Sequence, residues 1–288
     1  MTGKTLQIYL PEGTPSGIRI AELTTRIVQA IAIPRTKLEH FFTRSEADHI
    51  ATYFLFGGDD SDSKQIAYIG QTEDLKARLK SHDAKKDFWT TAVVLISRTH
   101  SFTQAHIKWL EWHSIAQATE ANRYRLDNGN AGSEPFATEP MKADLQEIFE
   151  TGSLLLESLG YPIFKPLVEK QSAGVPEEEK ELWYLEGPAV KATGLFTSDG
   201  FIVLKGSLAR AEFTPSAAAS PFAKKRDRMV EEGILAEAGE SYEYQEDFNF
   251  NSPSGAAAVT LARHSNGWAD WKDKSGRTLD QVKRQPSQ

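Results

Sequence analysis

Apolar residues recur at strand-like and helix-like intervals in turn along this chain, and each change of period marks an element. GIRIAEL (17–23) and RIVQAIAIP (26–34) are β-branched clusters separated by polar residues and closed by Pro34, which predicts short strands. TKLEHFFTR (36–44) follows as a brief helix. ATYFLFG (51–57) and QIAYIG (65–70) predict two further strands, joined by GGDDSDSK, whose Gly, Asp and Ser content marks an exposed hairpin loop. The next helix is expected to open with Thr72 as N-cap, to carry Glu73 and Asp74 in its first turn, and to bury Leu75 and Leu79. Arg78 and His82 share a neighbouring stripe, one turn apart.

TAVVLIS (91–97) reads as a central strand from its continuous apolar run, and residues 99–119 as a long helix with Ile107, Leu110, Ile115 and Ala118 on its apolar side. After the Asn/Gly-rich loop RLDNGNAG, residues 141–164 give another amphipathic helix, ending at Gly160 with Pro162 just beyond. The polar, acidic stretch EKQSAGVPEEEKE then predicts a domain boundary. Beyond it, VKATGLFTSDGFIVLKGS predicts two strands around the turn dipeptide Asp199-Gly200. FAKKRDRMVEEGIL reads as a helix and YEYQEDFNF as a strand. In SPSGAAAVTLARHSNGW, Ser252 or Ser254 caps an Ala-rich helix that stops before Gly267.

Composition narrows the functional classes. A chain of 288 residues with 40% hydrophobic content can fill two cores. The absence of cysteine excludes disulfides, thiolate zinc sites and cysteine nucleophiles, and fits a reducing compartment. With only a short apolar run near the N-terminus and no membrane-length apolar stretch, a soluble, cytoplasmic protein without a membrane partner is expected. Net charge is −7, which argues against a polyanionic partner, but residues 64–113 carry eight Lys/Arg against five Asp/Glu while residues 139–186 carry four against eleven. A mildly basic patch thus survives inside an acidic protein.

Glu111 lies one turn after Ile107 and one turn before Ile115, so its carboxylate shares the face turned toward the interior. A charge there must be paired, hydrogen-bonded or bound to a cation, because burying it alone costs several kcal/mol. The plainer reading is a carboxylate at the edge of the core or in a structural ion pair. Tyr53 and Tyr68 on adjacent strands can equally be core aromatics, and Arg78 and His82 a solvated face. His100, His106 and His113 surround one helix without HxxxH spacing and read as ordinary polar residues.

Taken in order, Tyr53, then Tyr68-Ile69-Gly70, then Arg78 eight residues past Gly70, then Glu111 on a later helix and Asn128 in an Asn-rich loop resemble the GIY-YIG nuclease family over roughly residues 47–135. The second half of the signature is intact; the first reads Ala51-Thr52-Tyr53 in place of Gly-Ile-Tyr. The resemblance implies metal-dependent hydrolysis of phosphodiester bonds in nucleic acid, with DNA favoured over RNA. It implies one Mg²⁺ or Mn²⁺ held by Glu111, with Arg78 at the scissile phosphate. Tyr53 would be the base or water-positioning group, with His82 assisting it and Tyr68 orienting water or phosphate. A phenol, ordinarily of pKa about 10, can do this only if neighbouring cations lower that value. Asn128 would bond Glu111 or the phosphate surroundings, with Asn130 as the alternative.

Residues 252–283 resemble the uncharacterised domain that often follows such nucleases and, more loosely, the restriction-enzyme and adenine-methylase associated domain. That implies substrate recognition, in which Trp268 and Trp271 would stack on bases or simply cap the Ala-rich helix. Lys224, Lys225, Arg226 and Arg228 would contact phosphates or form a solvated face. The fold class expected is α/β (α+β): a small mixed or antiparallel three-stranded sheet flanked by helices, an N-terminal β extension at 1–46, and a second small α+β domain. The catalytic domain would span 47–165, an acidic linker 166–186 and the second domain 187–288. The competing functions are a catalytically inactive nucleic-acid binding protein on the same fold and an interaction scaffold.

Overall fold

The computed structural model describes residues 3–58, 64–129, 132–168 and 181–285. They divide at Pro166/Leu167 into two compact units. In the first, β1 (Leu6–Tyr9), β2 (Arg19–Leu23) and β3 (Val28–Pro34) run antiparallel, and α1 (Leu38–Phe42) follows. β4 (Ala51–Gly57) and β5 (Ile66–Thr72) pair antiparallel and lead into α2 (Leu75–Lys85). Then come β6 (Trp89–Ser97), α3 (Gln104–Ala121), the short β7 (Arg125–Leu126) and α4 (Glu139–Ser158).

The strand order is β1-β2-β3-β6-β4-β5-β7. The N-terminal strands therefore continue the small sheet expected from the sequence: β3 pairs with β6 from Val28↔Ser97 to Pro34↔Thr91. That makes β6 central, which is why its inward positions are all apolar. α1 and α2 cover the face bearing Ala51, Tyr53 and Val94. α3 and α4 cover the other, packing on Phe54, Ile69 and Val93.

In the second unit, β8 (Leu182–Gly187), β9 (Val190–Thr197), β10 (Gly200–Val203) and β11 (Leu208–Arg210) precede α5 (Pro221–Glu231). β12 (Leu235–Ala238), β13 (Ser241–Tyr244), β14 (Phe248–Phe250), α6 (Pro253–Leu261), α7 (Gly267–Asp270) and α8 (Leu279–Lys283) complete it. β9 is the hub, with β8 on one edge and β10 and β11 along the other. α6, capped by Ser252 and buried from Pro253 to Leu261 except at Ser254 and Gly255, fills the middle of this core.

Several expectations are decided here. β8 begins inside the stretch read as acidic linker, of which residues 169–180 lie outside those described. YEYQEDFNF is two strands, because Gln245–Asp247 turn between β13 and β14. The base-stacking reading fails for Trp271: it is fully buried, lies 4.4 Å from the Phe201 ring, and donates its indole N–H to the Pro253 carbonyl at 3.2 Å. Trp268 packs edge-on against Phe196, with the Arg284 guanidinium 3.5 Å from its ring centroid.

The basic cluster is a solvated stripe only in part, with Lys224 exposed. Arg226 is buried and donates to the carbonyls of Arg210 and Ala211 at 2.6 Å each, while Lys225 lies over the Phe248 and Phe250 rings. Arg226→Ala is expected to destabilise the second unit by about 2–4 kcal/mol, because two carbonyls lose their partners along with the packing of the stem. Lys224→Ala should stay within about 0.5 kcal/mol of wild type. Urea denaturation followed by tryptophan fluorescence checks both.

Candidate active site

Register explains the two tripeptides. Across the β4/β5 pair, Tyr53 stands opposite Gly70 and Leu55 opposite Tyr68, so both tyrosines lie on the face covered by α2. Their ring centroids are 6.2 Å apart. A Cβ on Gly70 would fall 2.4 Å from the Tyr53 hydroxyl, so the glycine is there to let that hydroxyl lie against the strand. In β4, Thr52 replaces the isoleucine of the signature with another β-branched residue; it is fully buried, and its hydroxyl has no hydrogen-bond partner.

α2 brings the other half of the site. Its N-cap is Asp74, which accepts from the Ala77 amide at 2.9 Å; Thr72, the expected cap, ends β5 and bonds Asp74 instead. Leu75 and Leu79 anchor the helix in the core as expected. At the far end Arg35, from the N-terminal extension, donates to the Asp83 carboxylate and carbonyl at 2.6 Å each and to the carbonyls of Asp87 and Trp89 at 3.3 Å each. A guanidinium on the last carbonyls of a helix is favourable for both hydrogen bonding and dipole.

Held in this way, α2 places Arg78 and His82 on Tyr53. The Arg78 Nε donates to the Tyr53 hydroxyl at 2.8 Å, and His82 Nε2 lies 2.8 Å from the same oxygen. A second Arg78 nitrogen reaches the Tyr68 hydroxyl at 3.4 Å. Since Arg78 can only donate, the Tyr53 oxygen accepts from it, and the bond to His82 runs in the direction set by the imidazole tautomer. Tyr53 and His82 are buried, Tyr68 is half-buried and Arg78 is exposed.

Burial dominates the acid–base properties. It pushes the Tyr53 phenol well above its ordinary value, against the pull of Arg78. Removal from water here outweighs one guanidinium. His82 moves the other way, from 6.5 down to about 4, through burial first and then the charges of Arg78, Lys86 and Lys85. It is neutral over the physiological range.

Glu111 approaches from the opposite face. Half-buried on α3, its carboxyl is raised by burial and lowered by a hydrogen bond from the Gln71 backbone amide and by the charge of Arg78. Among the described residues no Lys or Arg lies within salt-bridge distance of it, so the structural ion pair is not formed. Asn128 has a different place from the one expected. Its side chain accepts from the Ile69 amide at 2.9 Å and donates to the Ile69 carbonyl at 2.7 Å, extending β7 along the edge of β5. Asn130 lies outside the described residues.

A desolvated carboxylate with no direct cation partner is the right chemistry for a hard divalent ion. Among the described residues no three His, Asp or Glu side chains gather into a ligand set.

Residues 49–129 match the family model of the GIY-YIG catalytic domain, a nuclease-family domain, and this span contains every residue of the cluster. The first unit carries a GIY-YIG domain. Residues 183–283 match a second model, Domain of unknown function (DUF4357), which begins within β8 and ends with α8. No curated protein and no solved structure matches the chain. Among the described residues no helix is long and apolar enough to cross a membrane.

Sequence reasoning missed Arg35, which lies outside the GIY-YIG match, and the Lys86–Asp127 ion pair, whose lysine lies over the Tyr68 ring. Lys86 carried a signal, the spacing 78, 82, 86; Arg35 carried none. Two predictions follow from the geometry. Gly70→Ala should cost about 1–3 kcal/mol by overpacking, since Tyr53 is held by two partners and has nowhere to go; the urea midpoint measures it. Because the folded pKa of His82 is depressed, the unfolded chain binds the extra proton between pH 6.5 and about 4, so stability should fall as pH drops through that window. The loss should be smaller in His82→Asn, read as urea midpoint against pH.

Proposed function

We propose that the first unit is a divalent-metal-dependent endonuclease that hydrolyses phosphodiester bonds in nucleic acid, with DNA as the favoured substrate and Mg²⁺ or Mn²⁺ at Glu111. The division of labour proposed gives catalysis to this unit and substrate recognition to the second, in the reducing cytoplasmic setting that a cysteine-free chain suits. The observation that carries the reading is the hydrogen-bonded convergence of Tyr53, Arg78, Tyr68 and His82 inside the GIY-YIG match, with Glu111 within range of the charge of Arg78.

Phosphodiester hydrolysis needs a water relieved of its proton, compensation for charge on the phosphoryl oxygens, and support for the leaving oxygen. The metal, when bound, supplies Lewis-acid neutralisation of those oxygens. Arg78 is exposed and spends only part of its donor fork on the two tyrosines, so its remaining N–H groups are available to a phosphate. Tyr68, the half-buried phenol, orients water or phosphate at the mouth.

Tyr53 and His82 work as a relay. A phenol whose pKa is raised is a poor standing phenolate, but it can take a proton from water while passing its own to the neutral His82 Nε2 at 2.8 Å. Asn128 acts at one remove, holding Ile69 so that Tyr68 and Gly70 on either side keep their places.

Incubation with supercoiled plasmid and Mg²⁺ or Mn²⁺ tests the reading. Wild type is expected to nick or linearise the plasmid, and Glu111→Ala and Arg78→Ala to lose activity by at least about a hundredfold. Binding without cleavage at any metal or salt concentration would favour an inactive nucleic-acid binding protein, and neither activity on DNA or RNA would leave a scaffold.

A further inference from the structure

Lys86 stands one turn beyond His82 on the stripe that begins at Arg78, immediately after the last residue of α2. Its Nζ lies 4.4 Å from the centroid of the Tyr68 ring and forms an ion pair with Asp127, the residue before Asn128. The lysine side chain is 25% exposed and the aspartate 45%, so the pair lies at the surface of the cluster, within reach of a ligand. Both charges are felt at His82, where Lys86 lowers the imidazole pKa and Asp127 raises it.

In a site that takes a polyanion, this arrangement has a consequence. An ammonium packed on the face of Tyr68 is where a phosphate beside that tyrosine would seek a counter-charge, yet it is already neutralised by a carboxylate. Solvent-exposed ion pairs are weak and exchange partners readily. Resting on the nuclease reading, we infer that Lys86 is a further phosphate-binding residue and that Asp127 is its resident competitor, displaced when the nucleic-acid backbone enters.

A purely structural role for the pair would be to fasten the segment carrying Asn128 to α2. The two roles differ in sign. If the pair is a fastener, breaking it from either side weakens the site; if Asp127 competes with phosphate, removing its charge strengthens binding while removing the lysine weakens it.

Fluorescence anisotropy of a labelled DNA duplex with the full-length protein, in EDTA to prevent turnover and over a salt series, separates them. Lys86→Gln is expected to weaken binding about three- to tenfold and to reduce the slope of log K against log salt by about 0.9, the counter-ion release of one phosphate contact. Lys86→Arg should restore most of the affinity, and Asp127→Asn should tighten binding about threefold. Equal weakening by Lys86→Gln and Asp127→Asn, or no change in either, overturns the inference while leaving the nuclease reading intact. Failure of the wild type to bind any nucleic acid overturns the inference, and the plasmid assay with metal decides the nuclease reading separately.

Discussion

The Tyr53 hydroxyl belongs to a side chain with no exposed surface, and a phenol removed from water needs partners or costs the fold on the order of 1–3 kcal/mol. Two of them, Arg78 and His82, come from α2, and Tyr68 lies beside the same hydroxyl on β5. That pair of bonds sets the rotation of the helix about its own axis, since only one phase brings positions 78 and 82 onto a single oxygen. The same phase must also bury Leu75 and Leu79, and the i, i+4 spacing of both pairs makes the two demands compatible. Gly70 provides the room, Asp74 ends the helix at one side and Arg35 clamps it at the other. The N-terminal strands therefore serve the site although they contribute no group to it.

The outer edge of β5 is the second organising feature. An unpaired strand edge exposes alternate amides and carbonyls, which natural proteins cover in some way. Here the Ala67 carbonyl takes the Asp127 amide at 2.8 Å, Ile69 takes both ends of the Asn128 side chain, and the Gln71 amide bonds Glu111. The groups follow one another at two-residue spacing because only alternate residues face outward. By this edge Glu111, carried on the helix of the opposite face, comes within range of the charge of Arg78. Edge protection and site assembly are thus the same set of contacts.

Much of this was legible in the pattern of residues, and the exceptions share a cause. The hairpin, the order of helices and the stripe of Arg78 and His82 follow from local periodicity, which depends only on neighbours in the chain. The N-terminal strands were legible as strands, but their place beside β6 was not, because pairing partners are distant. Arg226 looked like one member of a basic run; its burial depends on carbonyls fifteen and sixteen residues away. For Tyr53 the weight of burial against Arg78 was not legible. Adjacent cations could be inferred from the signature, whereas the depth of the hydroxyl depends on Gly70 lying opposite it and on how the helix closes over both.

That depth alters the chemistry the cluster can perform. At the surface, Arg78 would make Tyr53 more acidic and the phenolate would be the natural proton acceptor. Buried, Tyr53 keeps its proton and His82 sheds the one it would otherwise hold at mildly acidic pH. The two shifts have one origin, since a low-dielectric setting disfavours the charged form of each group, phenolate in one case and imidazolium in the other. Neither residue alone is then a strong base, but together they are a neutral pair aligned from hydroxyl to imidazole. Moving a proton along that line places positive charge on His82 only transiently, close to Arg78 and Lys86, which oppose it. A polyanion at the mouth of the site would relieve such a charge, so the proposed relay would be at its most capable with a phosphate chain against those cations. On the proposed reading, such a cluster would couple proton transfer to the presence of a phosphate chain.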